Sequence, residues 1–250
     1  MLSRFRKIIH PIILKEVPKR RNFKLEILNQ QLDTQQNRIY VMNHSSMHDA
    51  PIACEVIKEH FFVLVGKQPL YLEDKIFLWL NGAVYIDRKD KKSKKTGFYK
   101  MLKILKSGNN LLIYPEGTWN ITPSKPIIPL NWGIIELAKK AEVPIIPLAT
   151  EYYQDCCYVK FGEPIYINSN LSKENGIQQI EDAMATLKWD IWELCPITKR
   201  TEQMRENFEQ MMEERIKEYP KLNIEYEKTV IRGWEDSPEY VLKLKSDMQR

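Results

Sequence analysis

Asn43-His44-Ser45-Ser46-Met47-His48-Asp49 directly follows the apolar run Ile39-Tyr40-Val41-Met42 and sets a histidine and a carboxylate five positions apart. On a regular helix such positions lie roughly 140° apart around the axis and cannot share a face. A pair that meets must therefore straddle a break in the helix. Pro51, tolerated in a helix's first turn but not in its interior, points to a strand through Met42, a tight turn carrying His44 and a helix starting near Asp49. That geometry lets Asp49 accept a hydrogen bond from one ring nitrogen of His44 and leaves the other facing a cleft. An imidazole so oriented takes a proton from a hydroxyl near neutral pH. His48 is a rival base, but its spacing from Asp49 gives it no comparable partner.

Three further blocks follow in order: Gly82-Ala83-Val84-Tyr85-Ile86-Asp87-Arg88, Tyr114-Pro115-Glu116-Gly117-Thr118 and Val143-Pro144-Ile145-Ile146-Pro147-Leu148. With His44 and Asp49 they form a set of four motifs, over residues from about 39 to 150, that resembles the glycerolipid acyltransferases, a family that includes 1-acylglycerol-3-phosphate acyltransferase. The resemblance implies a mixed, largely parallel sheet flanked by helices, with the motifs clustered at one mouth. It implies direct transfer of a fatty acyl chain from a thioester to a hydroxyl, with His44 as general base and Asp49 orienting it. The donor is then a co-substrate, acyl-CoA or acyl-carrier protein, and the acceptor a lipid.

The same resemblance assigns Arg88 to an acceptor phosphate, together with an arginine closing the third motif. Here Trp119 stands at that second position, offering one N–H donor and a flat apolar face instead of a bidentate fork. Two acceptors therefore stay open: a lysophospholipid, or a non-phosphorylated lipid such as a glycolipid on which Trp119 stacks. Glu116 fixes the loop or meets an acceptor hydroxyl, Gly117 admits close backbone approach, and Thr118 completes the acceptor side. Lys67 is the oxyanion candidate beside backbone amides, while Pro144 and Pro147 shape the strand entry beside the acyl site. A non-catalytic lipid-binding module that has kept the fold is the alternative from outside enzymology.

The chain has 250 residues, 43% hydrophobic and 28% charged, enough for one domain with a real core and an appendage. No apolar run approaches the roughly 20 residues of a membrane-spanning helix. Arg4, Arg6 and Lys7 precede an apolar stretch that Lys15 and Glu16 interrupt, which does not read as a secretory signal. Cys54, Cys156, Cys157 and Cys195 show no metal-ligand spacing and read as reduced thiols of a cytosolic protein. There is no Gly-x-Ser-x-Gly elbow and no Gly-rich phosphate cradle, so no tightly bound cofactor or metal is expected. The net charge of +5 is concentrated in a basic run from Arg88 to Lys106, opposed there by Asp90 alone. A solvated helix face explains it, as does attraction to an anionic membrane surface. No nucleic-acid-binding motif accompanies it.

Residues 1–20 place Phe5, Ile8, Ile9, Ile12 and Ile13 at near-helical spacing among basic residues, the pattern of an interfacial membrane helix, with Pro11 weakening the helix. A cytoplasmic enzyme held peripherally on a membrane is the expectation. Residues 21–170 carry the α/β domain. Strands are expected at Phe23–Leu28, Ile39–Met42, Phe61–Val65, Val84–Ile86, Leu111–Tyr114, Ile145–Leu148, Tyr158–Phe161 and Ile165–Ile167, the first at an edge. Helices are expected at Pro51–Glu59, Lys75–Leu80, Thr96–Lys106 and Gly133–Ala141. Residues 171–250 form a C-terminal helical appendage: an amphipathic helix through Ile177, Ile180, Met184, Leu187 and Ile191, a second from Thr198, and an irregular extension.

Overall fold

A computed structural model describes residues 2–16, 23–30, 36–46, 48–67, 72–120, 125–153, 155–194 and 210. Seven strands, β1 (Lys24–Ile27), β2 (Ile39–Met42), β3 (Phe61–Gly66), β4 (Ala83–Ile86), β5 (Asn110–Ile113), β6 (Ile145–Tyr153) and β7 (Cys156–Phe161), form one sheet in the order β1-β7-β6-β2-β5-β3-β4. All neighbours are parallel except β6 and β7, which pair antiparallel. The helices are α1 (Leu2–Glu16), α2 (Asp49–Val56), α3 (Leu72–Asn81), α4 (Lys91–Lys106), α5 (Gly133–Ala141) and α6 (Lys173–Leu194). The fold is the expected mixed, largely parallel α/β sheet with β1 at an edge.

Successive strand residues point to opposite faces, and both faces are covered, which is why β2 is apolar at every position. Ile39 and Val41 pack with Leu111, Ile113 and the helices α4, α5 and α6. Tyr40 and Met42 pack with Leu112 and with Ile52, Ala53 and Val56 of α2. The central position of β2 follows, and so does the placing of His44 just beyond its carboxyl end.

Two sequence expectations need correction. The helix expected at Thr96–Lys106 begins at Lys91, because the Asp90 carboxylate caps it, accepting from the backbone N–H groups of Lys92 and Ser93 at 3.0 and 2.9 Å. The strand expected at Ile165–Ile167 is a single bridge between Ile165 and Ile145. β7 already occupies that side of β6 from Leu148 onward, which leaves room for one pair. The helix expected from Thr198, Cys195 and the terminal extension lie outside the described residues.

α1 forms with Pro11 inside it. Among the described side chains of α1, His10 is the buried one: its Nδ1 lies 3.2 Å from Asn81 Oδ1, and its ring meets those of His60 and Phe61 edge to face. Arg6 donates to the Trp79 carbonyl at 3.2 Å. His60 and Asn81 stand just before β3 and β4 enter the sheet, so this anchor lies at the end opposite His44.

Candidate active site

Asp49 opens α2 and is fully buried. Its Oδ2 receives the backbone N–H groups of Ser45 at 2.7 Å and Ser46 at 2.9 Å, and lies 2.8 Å from Nδ1 of His44. The chain thus turns back on itself between strand and helix, and the carboxylate holds the turn as well as the imidazole. The His44 side chain keeps 22% of its surface open while Asp49 keeps none, so the dyad is fixed from within and reachable from without. A carboxylate at a helix N-terminus with backbone donors is stabilised as an anion without water. His48 packs its ring against Phe23 instead, at 5.3 Å.

The third motif closes the other side. Tyr114, at the end of β5, stacks on the His44 ring at 4.4 Å with planes 27° apart, and Trp119 lies at 5.5 Å, tilted by 53°. Glu116 is buried and bonds backbone at both oxygens: His44 N–H donates to Oε2 at 2.7 Å and Ile128 N–H to Oε1 at 3.0 Å. It ties two loops together. Burial pushes its carboxyl up to about 7, although the two backbone donors favour the ionised form. Gly117 has φ +75°, and a Cβ there would stand 2.7 Å from the Asn131 amide. Arg88, following β4, donates through Nη1 to the Gly117 carbonyl, which joins the second motif to the third. Thr118 is buried beside it.

The remaining candidates are spread more widely. Lys67 follows β3 at the same end of the sheet, with its side chain 77% exposed and its ammonium 3.8 Å from Asp87. Pro147 pairs with Val41 inside the sheet. Pro144 accepts from the Ile39 N–H at 3.0 Å, at the strand entry remote from His44.

Several residues to which the sequence alone gives no role also converge here. The Tyr152 hydroxyl donates to Asp49 Oδ1 at 2.9 Å. Asn43 and Thr150 bond reciprocally, Nδ2 to the Thr150 carbonyl at 3.0 Å and Thr150 N–H to Oδ1 at 2.7 Å, fixing the residue before His44 to β6. From α6, the buried Lys188 donates to the same Thr150 carbonyl at 2.9 Å and pairs with Glu151. Strand alternation could have found Tyr152, since Ile146, Leu148 and Tyr152 continue one face. Nothing local marks Lys188.

A family model described as Acyltransferase matches residues 24–151, just over half of the chain. The chain belongs to the acyltransferase family. It is 30% identical over 119 residues to the 1-acyl-sn-glycerol-3-phosphate acyltransferase alpha of Ovis aries, covering 47% of this chain and 41% of that protein. To its Homo sapiens counterpart it is 29% identical over the same span and shares. The chain therefore spans about two-fifths of the length of these relatives. Among solved structures, the 1-acyl-sn-glycerophosphate acyltransferase PlsC of Thermotoga maritima superposes with a TM-score of 0.62 at 17% identity, covering 78% of this chain and 83% of that one. At that identity the likeness concerns the acyltransferase fold. The family match covers β1 to β5 and β6 as far as Glu151, and ends before Tyr152, β7 and the whole of α6.

Proposed function

We propose that this acyltransferase moves a fatty acyl chain from a thioester, acyl-CoA or acyl-carrier protein, to a hydroxyl of a lysophospholipid-like acceptor. His44 Nε2 takes the hydroxyl proton as the oxygen attacks the thioester carbonyl. The tetrahedral intermediate collapses by expelling the thiolate, and the imidazolium returns the proton to that sulfur. Asp49 holds the ring and stabilises the imidazolium. Lys67 or backbone amides meet the carbonyl oxygen, and Arg88 the acceptor's polar head. The observation that carries this reading is the 2.8 Å pairing of a partly open His44 with a fully buried Asp49. The relatives' names point to the same acceptor class.

A panel of lysophospholipids and glycolipids, offered with each donor and followed by mass spectrometry, tests the reading. Product that disappears in His44→Ala supports it. Binding of both substrates without product favours a lipid-binding module instead.

Trp119 favours a second reading of the acceptor. An indole beside His44 gives a sugar or apolar headgroup a surface to stack on, and Arg88 already bonds the Gly117 carbonyl. A glycolipid product from the same panel would select this reading.

Peripheral membrane attachment completes the proposal. No helix among the described residues is long and apolar enough to cross a membrane. Two helices carry exposed apolar stripes: Phe5, Ile8 and Ile12 on α1, and Leu72, Ile76 and Trp79 on α3. Lys7, also exposed on α1, and the exposed lysines at the start of α4 suit an anionic surface.

A further inference from the structure

Tyr152 stands one residue beyond the family match, near the end of β6, and its hydroxyl donates to Asp49 Oδ1 at 2.9 Å while Oδ2 faces His44. Its ring packs edge to face against Phe23 at 5.6 Å. We propose that Tyr152 is a positioning residue of the dyad: it fixes the plane of the Asp49 carboxylate and limits how strongly that carboxylate draws a proton onto His44. The inference rests on the reading of His44 as the base.

One carboxylate divides its charge between two oxygens. A donor on Oδ1 draws electron density away from Oδ2, so the carboxylate bonds the imidazolium less strongly than a bare one would. Take the hydroxyl away and the buried anion is left to His44 and two backbone amides. The pair then holds a proton more tightly, whichever of its members carries it. Burial and the facing Asp49 push the Tyr152 phenol far up, so it stays a neutral donor throughout the working pH range. Tyr114 from β5, Cys54 from α2 and Cys157 from β7 are all raised by burial and stay neutral. His48 lies across Phe23. Glu151 is paired with Lys188. Glu116, raised to about 7, titrates in the same range but bonds the His44 backbone, so its contribution is common to parent and variant.

Tyr152→Phe removes one oxygen and keeps the ring on Phe23. With histidine-labelled full chain, the His44 signal, assigned by its loss in His44→Ala, should titrate with a midpoint raised by about half to one pH unit. The acid limb of kcat/KM should move by the same amount, while kcat on the plateau changes less than about tenfold. In an Asp49→Asn background the shift should vanish. Placing 3,5-difluorotyrosine at position 152, a stronger donor of nearly the same shape, should move the midpoint the other way and serves equally if Tyr152→Phe does not fold. An unmoved midpoint in Tyr152→Phe, or a shift that persists with Asp49→Asn, overturns the proposal. A moved midpoint in a protein that never transfers acyl groups leaves Tyr152's role standing and removes the acyl-transfer reading.

Discussion

Trp119 lies 5.5 Å from His44, ring to ring, with their planes tilted by 53°. The indole therefore stands beside His44 in the candidate site, and under the proposed reading the acceptor's headgroup passes along it. An arginine there would project a fixed fork of donors toward any phosphate. Trp119→Arg should raise the ratio of kcat/KM for phosphate-bearing over uncharged acceptors by about tenfold or more, given that hydrogen bonds to charged groups contribute roughly 1.5–3 kcal/mol. Competing both acceptors in one reaction and weighing the products by mass spectrometry reads this ratio directly. A ratio equal to the parent's would show that Trp119 does not face the acceptor.

Removing the proposed base should leave the fold. His44→Ala uncovers one face of the Tyr114 ring but removes no core residue, and should lower kcat by about 10²–10⁴-fold, the usual worth of general-base catalysis. Asp49→Asn should behave less cleanly, because Oδ2 also holds the Ser45 and Ser46 amides at 2.7 and 2.9 Å. Both activity and thermal midpoint should fall in that variant. Equal kcat in His44→Ala and parent would end the mechanism.

Gly97 sits where α4 crosses β4. A Cβ at this position would stand 2.3 Å from Cγ2 of Ile86. Alanine is the better helix former by about 1 kcal/mol, yet the clash should prevail. Gly97→Ala should destabilise the protein by about 1–3 kcal/mol in urea unfolding, as overpacking does. Adding Ile86→Ala should recover part of that loss relative to Ile86→Ala alone, and additive losses would contradict the contact.

Two buried groups bend the pH dependence of stability in opposite senses. Burial lowers His60 from its ordinary 6.5 to about 4. The unfolded chain therefore binds the proton first, and the stability His60 contributes is complete above 6.5 and lost as pH falls toward 4. Urea unfolding should show the gap between parent and His60→Gln closing by about 3 kcal/mol on acidification across that window. Glu116 is raised from 4.5 to about 7, so its contribution is present below 4.5 and lost as pH rises through 7. The gap between parent and Glu116→Gln should accordingly widen on acidification.

Acidic substitutions on the exposed apolar faces test the proposed membrane contact. Ile8→Glu and Ile12→Glu alter an exposed face of α1 without touching the buried His10, whereas deleting the helix would remove both. Leu72→Glu and Trp79→Glu do the same on α3. Flotation with anionic liposomes should show each pair weakening attachment by about tenfold, the scale of one large side chain's burial. Since α1 is anchored at the sheet end away from His44 and Trp79 meets Arg6 there, loss traced to Leu72→Glu alone would place the membrane nearer the site's mouth. Undiminished binding by both would shift the contact to the basic face of α4.

Much of the site was legible because its parts are close in sequence. The five-residue step from His44 to Asp49, with an apolar strand before it and Pro51 after it, fixed a strand, a turn and a helix start by local sterics alone. The apolar runs Ile39–Met42 and Leu111–Ile113 required a sheet covered on both faces. What only tertiary structure decided are the meetings across long stretches of chain: Tyr152 with Asp49 across 103 residues, Lys188 with the Thr150 carbonyl, and His10 with Asn81. Those depend on strand order, on the antiparallel turn of β7 against β6, and on which end of the sheet each loop leaves. A residue's own neighbours in sequence exert no force that sets these choices; the packed sheet does, since register brings distant backbones to within a hydrogen bond of one another.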